Sequence, residues 1–266
     1  MVSLDLVRAP LFVPGDRPDR FAKAAASETD AVILDLEDAV APEAKTIARA
    51  KLDCAFTRKP VLVRINACGT PWHCADLAAV RALPVSGVIL PKAEDPTEIE
   101  AVCRQLNDHV PVLALIETAL GLAQVRRIAA LPGVPRLILG SIDFCADMGC
   151  AHARDILLPV RSELVLASRL AGKPGPIDGV TSRLDDLLET RSDAEHARAI
   201  GMRGKLCIHP RQVPEVLRGF APTADEIEWA QRVLCSGTGA VALNGAMVDE
   251  PVRIRARHIL EAAQST

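Results

Sequence analysis

Tyrosine is absent from this chain, and aromatic residues make up only 3% of it. A core without large rings must be filled by aliphatic side chains, which suits buried parallel strands and Ala-rich helices. Long basic stretches are missing as well. No run of Lys and Arg exceeds two residues and the formal net charge is -3. The chain therefore lacks a global nucleic-acid footprint, and any anion site must be local. No apolar run reaches the roughly 18 residues that a membrane-spanning helix needs. The first twenty residues hold no signal-peptide core. None of the eight cysteines, at 54, 68, 74, 103, 145, 150, 207 and 235, forms a C-x-x-C pair. With no signal, they read as reduced thiols of a cytoplasmic protein, several of them buried as small apolar residues.

What is present is a repeated pattern. Apolar residues account for 49% of the 266, and short apolar runs alternate with helical periodicity eight times. The runs fall near 11–13, 31–36, 61–65, 87–90, 112–116, 137–140, 176–180 and 206–208. The seventh is the weakest, being short and containing Asp178 and Gly179. Helical segments follow near 18–27, 43–57, 73–83, 96–108, 120–131, 154–171, 193–200 and 213–220. In the fourth, Asp95 is an N-cap, Pro96 suits the first helical position, and Ile99, Val102, Cys103 and Leu106 form one apolar face. Eight alternations predict an α/β fold, a (β/α)8 TIM barrel over residues 1–220, with a doubly wound open sheet as the alternative.

Active sites of such barrels lie at the C-terminal ends of the strands. Read strand by strand, that position carries Asp16-Arg17, Glu37-Asp38, Arg64 and Asn66, Lys92, Glu117, Asp143, Asp178 and His209. Almost every strand ends in a polar or charged side chain, the pattern of an enzyme's cavity. Two of these runs organise the rest: 113–118 carries Glu117 and 137–144 carries Asp143. Between them Leu122, Val125, Ile128 and Ala129 follow helical spacing, making a βαβ unit. Glu117 and Asp143 should then leave the same end of two parallel strands about 5 Å apart. No His or Cys stands at matching positions, so the ligand set is oxygen-rich and favours Mg²⁺, or Mn²⁺, over zinc. The alternative is that both carboxylates only cap helices or pair with Arg.

After about residue 221 the pattern changes. Thr223 with Glu226 resembles a capping box opening a helix that carries Ile227, Ala230 and Leu234. A hairpin is expected over 241–248 around Asn244-Gly245, and Pro251 starts a last helix through about Ala263. This predicts a C-terminal helix–hairpin–helix appendage over residues 221–266. The hairpin would expose Val241, Leu243, Met247 and Val248 unless it docked, and a neighbouring subunit's active site is the expected place.

Eight stretches also resemble a known family: Leu11-Phe12-Val13-Pro14-Gly15, Leu34-Asp35-Leu36-Glu37-Asp38-Ala39-Val40, Val63-Arg64-Ile65-Asn66, Leu90-Pro91-Lys92, Ile116-Glu117-Thr118-Ala119, Gly140-Ser141-Ile142-Asp143-Phe144, Gly204-Lys205-Leu206-Cys207-Ile208-His209-Pro210 and Met247-Val248-Asp249. In order and nearly end to end, they are similar to the citrate lyase β-subunit-like family. Its relatives are malyl-CoA and citramalyl-CoA lyases of the HpcH/HpaI aldolase/citrate lyase superfamily. The resemblance implies a (β/α)8 barrel, a Mg²⁺ site, and cleavage of a carbon–carbon bond in a 3-hydroxyacyl-CoA thioester. The products are an acyl-CoA and a 2-oxo acid. It implies Glu117 and Asp143 as metal ligands, Arg64 in the catalytic centre and Asp249 as acid/base. It also implies a homo-oligomer, a trimer or dimer of trimers.

Arg64 can donate to a thioester oxygen as charge develops, or serve only as a partner of Glu37 or Asp38. Glu37 and Asp38 follow the same strand and point differently, so they cannot share one role. One is expected to hold Arg64 or metal-bound water. Lys92 reads as an internal charge partner. Arg17, Arg20 and Lys23, beside the N-terminus of the first helix, are candidates for CoA phosphates or plain surface residues. Ser141 and Ile142 join Arg17, Lys23 and Arg64 as substrate-binding candidates. Asp249 is either an acid/base or the N-cap of the last helix. A thioesterase or malate-synthase-like enzyme on the same site, and a non-catalytic barrel subunit, are the competing functions.

Overall fold

The computed structural model describes residues 4–107, 109–237, 241–243 and 246–264. The chain divides into two compact units, Met1–Leu217 and Arg218–Thr266. In the first, eight strands alternate with helices: β1 Leu11–Pro14, β2 Val32–Asp35, β3 Val61–Arg64, β4 Gly87–Leu90, β5 Val112–Ile116, β6 Leu137–Leu139, β7 Ile177–Asp178 and β8 Gly204–Lys205. The helices are α1 Phe21–Ala25, α2 Lys45–Ala50, α3 His73–Arg81, α4 Pro96–Gln105, α5 Ala119–Ala129, α6 Ser141–Met148, α7 Leu158–Leu170 and α8 Leu187–Ile200, with α9 Gln212–Phe220 running across the unit boundary. All eight strands are parallel and in sequence order. The two edges of the curled sheet meet through a parallel bridge between Leu11 and Cys207, with Phe12 N donating to Cys207 O at 2.9 Å. An α/β fold of this form matches the expected TIM-like barrel.

Strands β2 to β5 are buried at every residue, which is why they read as unbroken apolar runs. Inward residues of β2 to β7, with Leu206 just after β8, make one cluster: Ile33, Leu62, Ile89, Leu113, Leu115, Ile138, Ile177 and Leu206. Burying each such side chain contributes about 1.5–3 kcal/mol. At the strands' N-terminal ends the fully buried Arg136 donates to the carbonyls of Gly175, Leu4 and Val7. It ties the segment 4–7 to the floor of the sheet.

Several boundaries differ from expectation. β7 is only two residues long and β8 ends at Lys205, the bridge at Cys207 being isolated. The segment 18–27 is a 3-10 turn at Pro18–Arg20 followed by the short α1. The segment 43–57 ends its helix at Ala50, and at 53–55 the backbone instead turns onto the Asp53 side chain. A helix not expected from the sequence, α6, follows β6 at once, and α7 starts only at Leu158.

In the second unit α10 Ala224–Cys235 opens on the expected capping box. β9 Val241–Leu243 pairs antiparallel with β10 Ala246–Val248, and α11 Glu250–Gln264 follows. The turn residues Asn244 and Gly245 lie outside the described residues. The unit has its own core of Ala230, Val233, Val248, Ala256 and Ile259. Val248 is therefore buried within the unit, contrary to expectation, while Met247 is 71% exposed.

Candidate active site

Alternation along a strand decides which side chains reach the mouth. Two residues on from Ile33, Leu62 and Leu115, on the same face of their strands, stand Asp35, Arg64 and Glu117. Arg64 lies at the centre. Its Nε and Nη2 donate to Asp35 Oδ1 and Oδ2, both at 2.7 Å. Its Nη1 lies 3.0 Å from Glu37 Oε2 and 3.3 Å from Asp38 Oδ2, and the guanidinium carbon lies 4.8 Å from the centre of the Phe12 ring. Nη2 has two N–H groups and gives one to Asp35, so one is left for a ligand. Glu37 is buried and Asp38 exposed, yet both reach the same Arg64 nitrogen, so the two neighbours share this contact, contrary to expectation. Burial pushes the Glu37 carboxyl up to about 7, against the opposing pull of Arg64.

Glu117 follows β5 and is 1% exposed. Its Oε1 accepts the Lys92 backbone N–H at 2.8 Å and lies 3.7 Å from Lys92 Nζ, which also reaches Glu37 at 3.2 Å. Lys92 makes this contact from a left-handed backbone conformation, φ 48°, a strained state for a residue other than Gly. A Cβ at Gly140 would lie 2.5 Å from Glu117 Oε2, so glycine at the end of β6 leaves the space this carboxylate occupies. Oε2 itself is buried and has no hydrogen-bond partner. Burial, then the like charge of Glu37, pushes the Glu117 carboxyl up to about 8.

Asp143 is half-buried and lies near enough to add to that repulsion. It does not extend from strand β6, as expected, but stands in the first turn of α6. The reason is local: Gly140 ends the strand and the helix begins at the next residue. Five carboxylates, Asp35, Glu37, Asp38, Glu117 and Asp143, thus gather with two cations, Arg64 and Lys92. An orphaned buried oxygen, an excess of negative charge and an all-oxygen donor set fit a hard divalent cation. Among the described residues no cluster of three or more His, Cys, Asp or Glu could hold a metal. A cation here would take Glu117 and Asp143 and fill its remaining positions with water or ligand, the habit of Mg²⁺.

The other expected residues fall elsewhere. Arg17 is exposed and engaged by Asp19 at 2.9 Å, and Arg20 and Lys23 are exposed. Ser141 is buried with its Oγ 2.9 Å from His152 Nε2, while Ile142 is 43% exposed. Asp178 does not face the mouth. It is fully buried between Arg161 Nε at 2.8 Å and Lys205 Nζ at 3.1 Å. His209 accepts the Arg211 backbone N–H on its Nδ1, a turn contact. In the second unit, Asp249 Oδ1 accepts Val252 N–H at 3.3 Å, so the capping geometry is present.

Sequence reasoning missed Asp35 as the main partner of Arg64. The signal was there, because Asp35 lies two residues after the inward Ile33 in a strand otherwise apolar. It also missed the support beneath the Glu37 loop. Lys45 Nζ donates to the carbonyls of Leu36 and Glu37. Asn66 Nδ2 donates to Leu36 O and to Asp76.

Residues 8–210 match the family model described as HpcH/HpaI aldolase/citrate lyase. A citrate lyase subunit beta-like protein of Deinococcus radiodurans is 38% identical, the alignment covering 96% of each chain. The (3S)-malyl-CoA thioesterase of Cereibacter sphaeroides is 31% identical over 97% of this chain and 95% of its own. The crystal structure of the CitE protein of Mycobacterium tuberculosis, in complex with magnesium, acetoacetate and coenzyme A, superposes with a TM-score of 0.89 at 37% identity. It covers 98% of this chain and 100% of that one. With a family match across the strand region and relatives aligned over nearly its whole length, the chain belongs to the HpcH/HpaI aldolase/citrate lyase family.

Proposed function

We propose that this chain is a Mg²⁺-dependent carbon–carbon lyase. It cleaves a 3-hydroxyacyl-CoA thioester of the citryl-, malyl- or citramalyl-CoA type into an acyl-CoA and a 2-oxo acid. The observation that carries this is Glu117, buried with an unpartnered oxygen next to the Arg64 cluster at the C-terminal ends of the strands. Glu117 and Asp143 would hold the ion, which when bound withdraws electron density from the hydroxyl and carboxylate oxygens of the substrate. Glu37 takes the hydroxyl proton, and the bond between the carbinol carbon and the thioester α-carbon breaks. Its electron pair moves into the thioester as an enolate. The free N–H on Arg64 Nη2 donates to that developing oxyanion, a contact worth about 10²–10³ in rate. Asp249 gives a proton to the α-carbon, and solvent returns the proton states of Glu37 and Asp249 to their start.

Asp249 is proposed to act from the C-terminal appendage of a neighbouring subunit in a trimeric assembly, closing the site against water. Eight free thiols suit a reducing, cytoplasmic setting. A second reading, hydrolysis of the thioester, is favoured by the likeness to the (3S)-malyl-CoA thioesterase. The test is incubation with citryl-, malyl-, citramalyl- and methylmalyl-CoA, with Mg²⁺ and with excess chelator, identifying products by mass. The expected result is an acyl-CoA and a 2-oxo acid from at least one of them, only with the metal. Full turnover in chelator would remove the metal mechanism.

A further inference from the structure

α5 and α6 each begin next to one of the two carboxylates assigned to the metal. Glu117 precedes α5 by one residue, Thr118, and Asp143 lies in the first turn of α6. The two helices are fastened to each other, the start of α5 to the last turn of α6. Asp147, one turn after Asp143 and so on the same face of α6, accepts the backbone N–H of Ala119 on its Oδ2 at 2.7 Å. Ala119 is the first residue of α5. The bond satisfies one of the free N–H groups there and places a negative charge at the positive end of the helix.

α5 does not need a distant residue for its cap. Thr118 already caps it locally, accepting Gly121 N–H on its Oγ1 at 3.1 Å. α6, by contrast, is eight residues long and its N-cap position, Gly140, makes no side-chain cap. A helix this short is marginal alone and depends on tertiary contacts for its position. The contact of Asp147 with Ala119 therefore does something the local cap cannot. It spans from the helix after Glu117 to the helix bearing Asp143.

We infer that Asp147 is a positioning residue that fixes the separation of Glu117 and Asp143 by tying the start of α5 to α6. The inference rests on the metal reading above. Its test is Mn²⁺ binding, followed by electron paramagnetic resonance and calorimetry, which needs no substrate and no turnover. Outer partners of metal ligands are typically worth 10–100-fold in affinity, and for this exposed bond the low end, about tenfold weaker binding, is expected for Asp147→Ala.

Ala119→Pro removes the donor instead of the acceptor. Proline is favoured at the first position of a helix, and the preceding Thr118 is already extended, so the fold tolerates the change. This variant should reproduce the loss, and the double variant should lose no more than either single one. Thr118→Ala weakens the α5 cap without touching the tie and should bind Mn²⁺ within about twofold of wild type. Wild-type affinity in Asp147→Ala or in Ala119→Pro would overturn the inference. So would an equal loss in Thr118→Ala, which would mean that affinity follows the cap of α5 alone. If the wild-type protein itself binds no Mn²⁺, the metal reading falls and this inference falls with it.

Discussion

Asp35→Asn removes one charge and changes no shape, yet it strikes the most heavily used carboxylate of the site. Oδ1 accepts from Arg64 Nε at 2.7 Å and from Glu37 N at 2.9 Å. Oδ2 accepts from Arg64 Nη2 at 2.7 Å and from Ala39 N at 3.0 Å. An asparagine keeps one acceptor oxygen and turns an NH₂ towards the two donors on the other side. Two donors are then left facing a donor, each buried unsatisfied group costing about 1–3 kcal/mol. Breaking a buried ion pair costs about 3–5 kcal/mol. Arg64 keeps Glu37 and Asp38, which places the net loss near 3 kcal/mol. In a unit of this size each kcal/mol moves the melting temperature by about 2–4 °C, so the shift should be about 6–12 °C. Calorimetry reads it directly, with urea unfolding as the second measure. Because Glu37 N and Ala39 N also lean on Asp35, activity at a permissive temperature should fall as well. A variant within 1 kcal/mol of wild type and fully active would refute the place given to Asp35 at the centre of this cluster.

Other outcomes follow from the same geometry. Glu117→Gln should abolish Mn²⁺ binding yet raise the melting temperature of the metal-free protein above about pH 8, since it removes a carboxylate whose charge burial and Glu37 oppose; calorimetry with chelator checks it. Arg64→Lys should lose nearly as much activity as Arg64→Ala, about 10²–10³-fold, because an ammonium cannot span Asp35 and an oxyanion together; steady-state rates decide. Asp178 gives a pH prediction. Burial pushes its carboxyl up, but Lys205 and Arg161 outweigh this and hold it below the usual range. A depressed folded value stabilises the protein above the unfolded carboxylate pKa of about 3.9 and ceases to do so as pH falls through the folded value. The stability gap between wild type and Asp178→Asn, measured by urea unfolding, should therefore be constant above about pH 5 and shrink below about pH 4. Mixed oligomers of Asp249→Ala and Glu117→Gln subunits should regain activity that neither has alone; mixed oligomers that form and stay inactive would confine Asp249 to its own chain or to capping.

Much of this was legible in the residues. Eight apolar runs became eight parallel strands because both faces of β2 to β5 are buried, and such strands leave no polar face to blur the pattern. Caps were legible because they are local: Asp95 accepts from Thr97 N, and Thr223 and Glu226 bond reciprocally. The mouth was readable for Glu37, Arg64 and Glu117, which end their strands or follow them closely. It was misread where a charge lies within a run or past a helix start. Asp35, the last residue of β2, was hidden inside the apolar run 31–36. Asp143 was assigned to a strand end because eight residues of α6 are too few to show a helical period. Asp178 was assigned to the cavity although Arg161, from the distant α7, and Lys205 enclose it, and no local pattern reports a partner 17 or 27 residues away.

Turnover of malyl-CoA and its analogues in D₂O tests the central claim most directly, because the two chemistries place the solvent proton on different atoms. Carbon–carbon cleavage through an enolate predicts an acyl-CoA carrying one deuterium at its α-carbon, a 2-oxo acid in equal amount, and neither in the presence of chelator. Free coenzyme A with an intact, undeuterated hydroxy acid would contradict the lyase and establish hydrolysis at the same site.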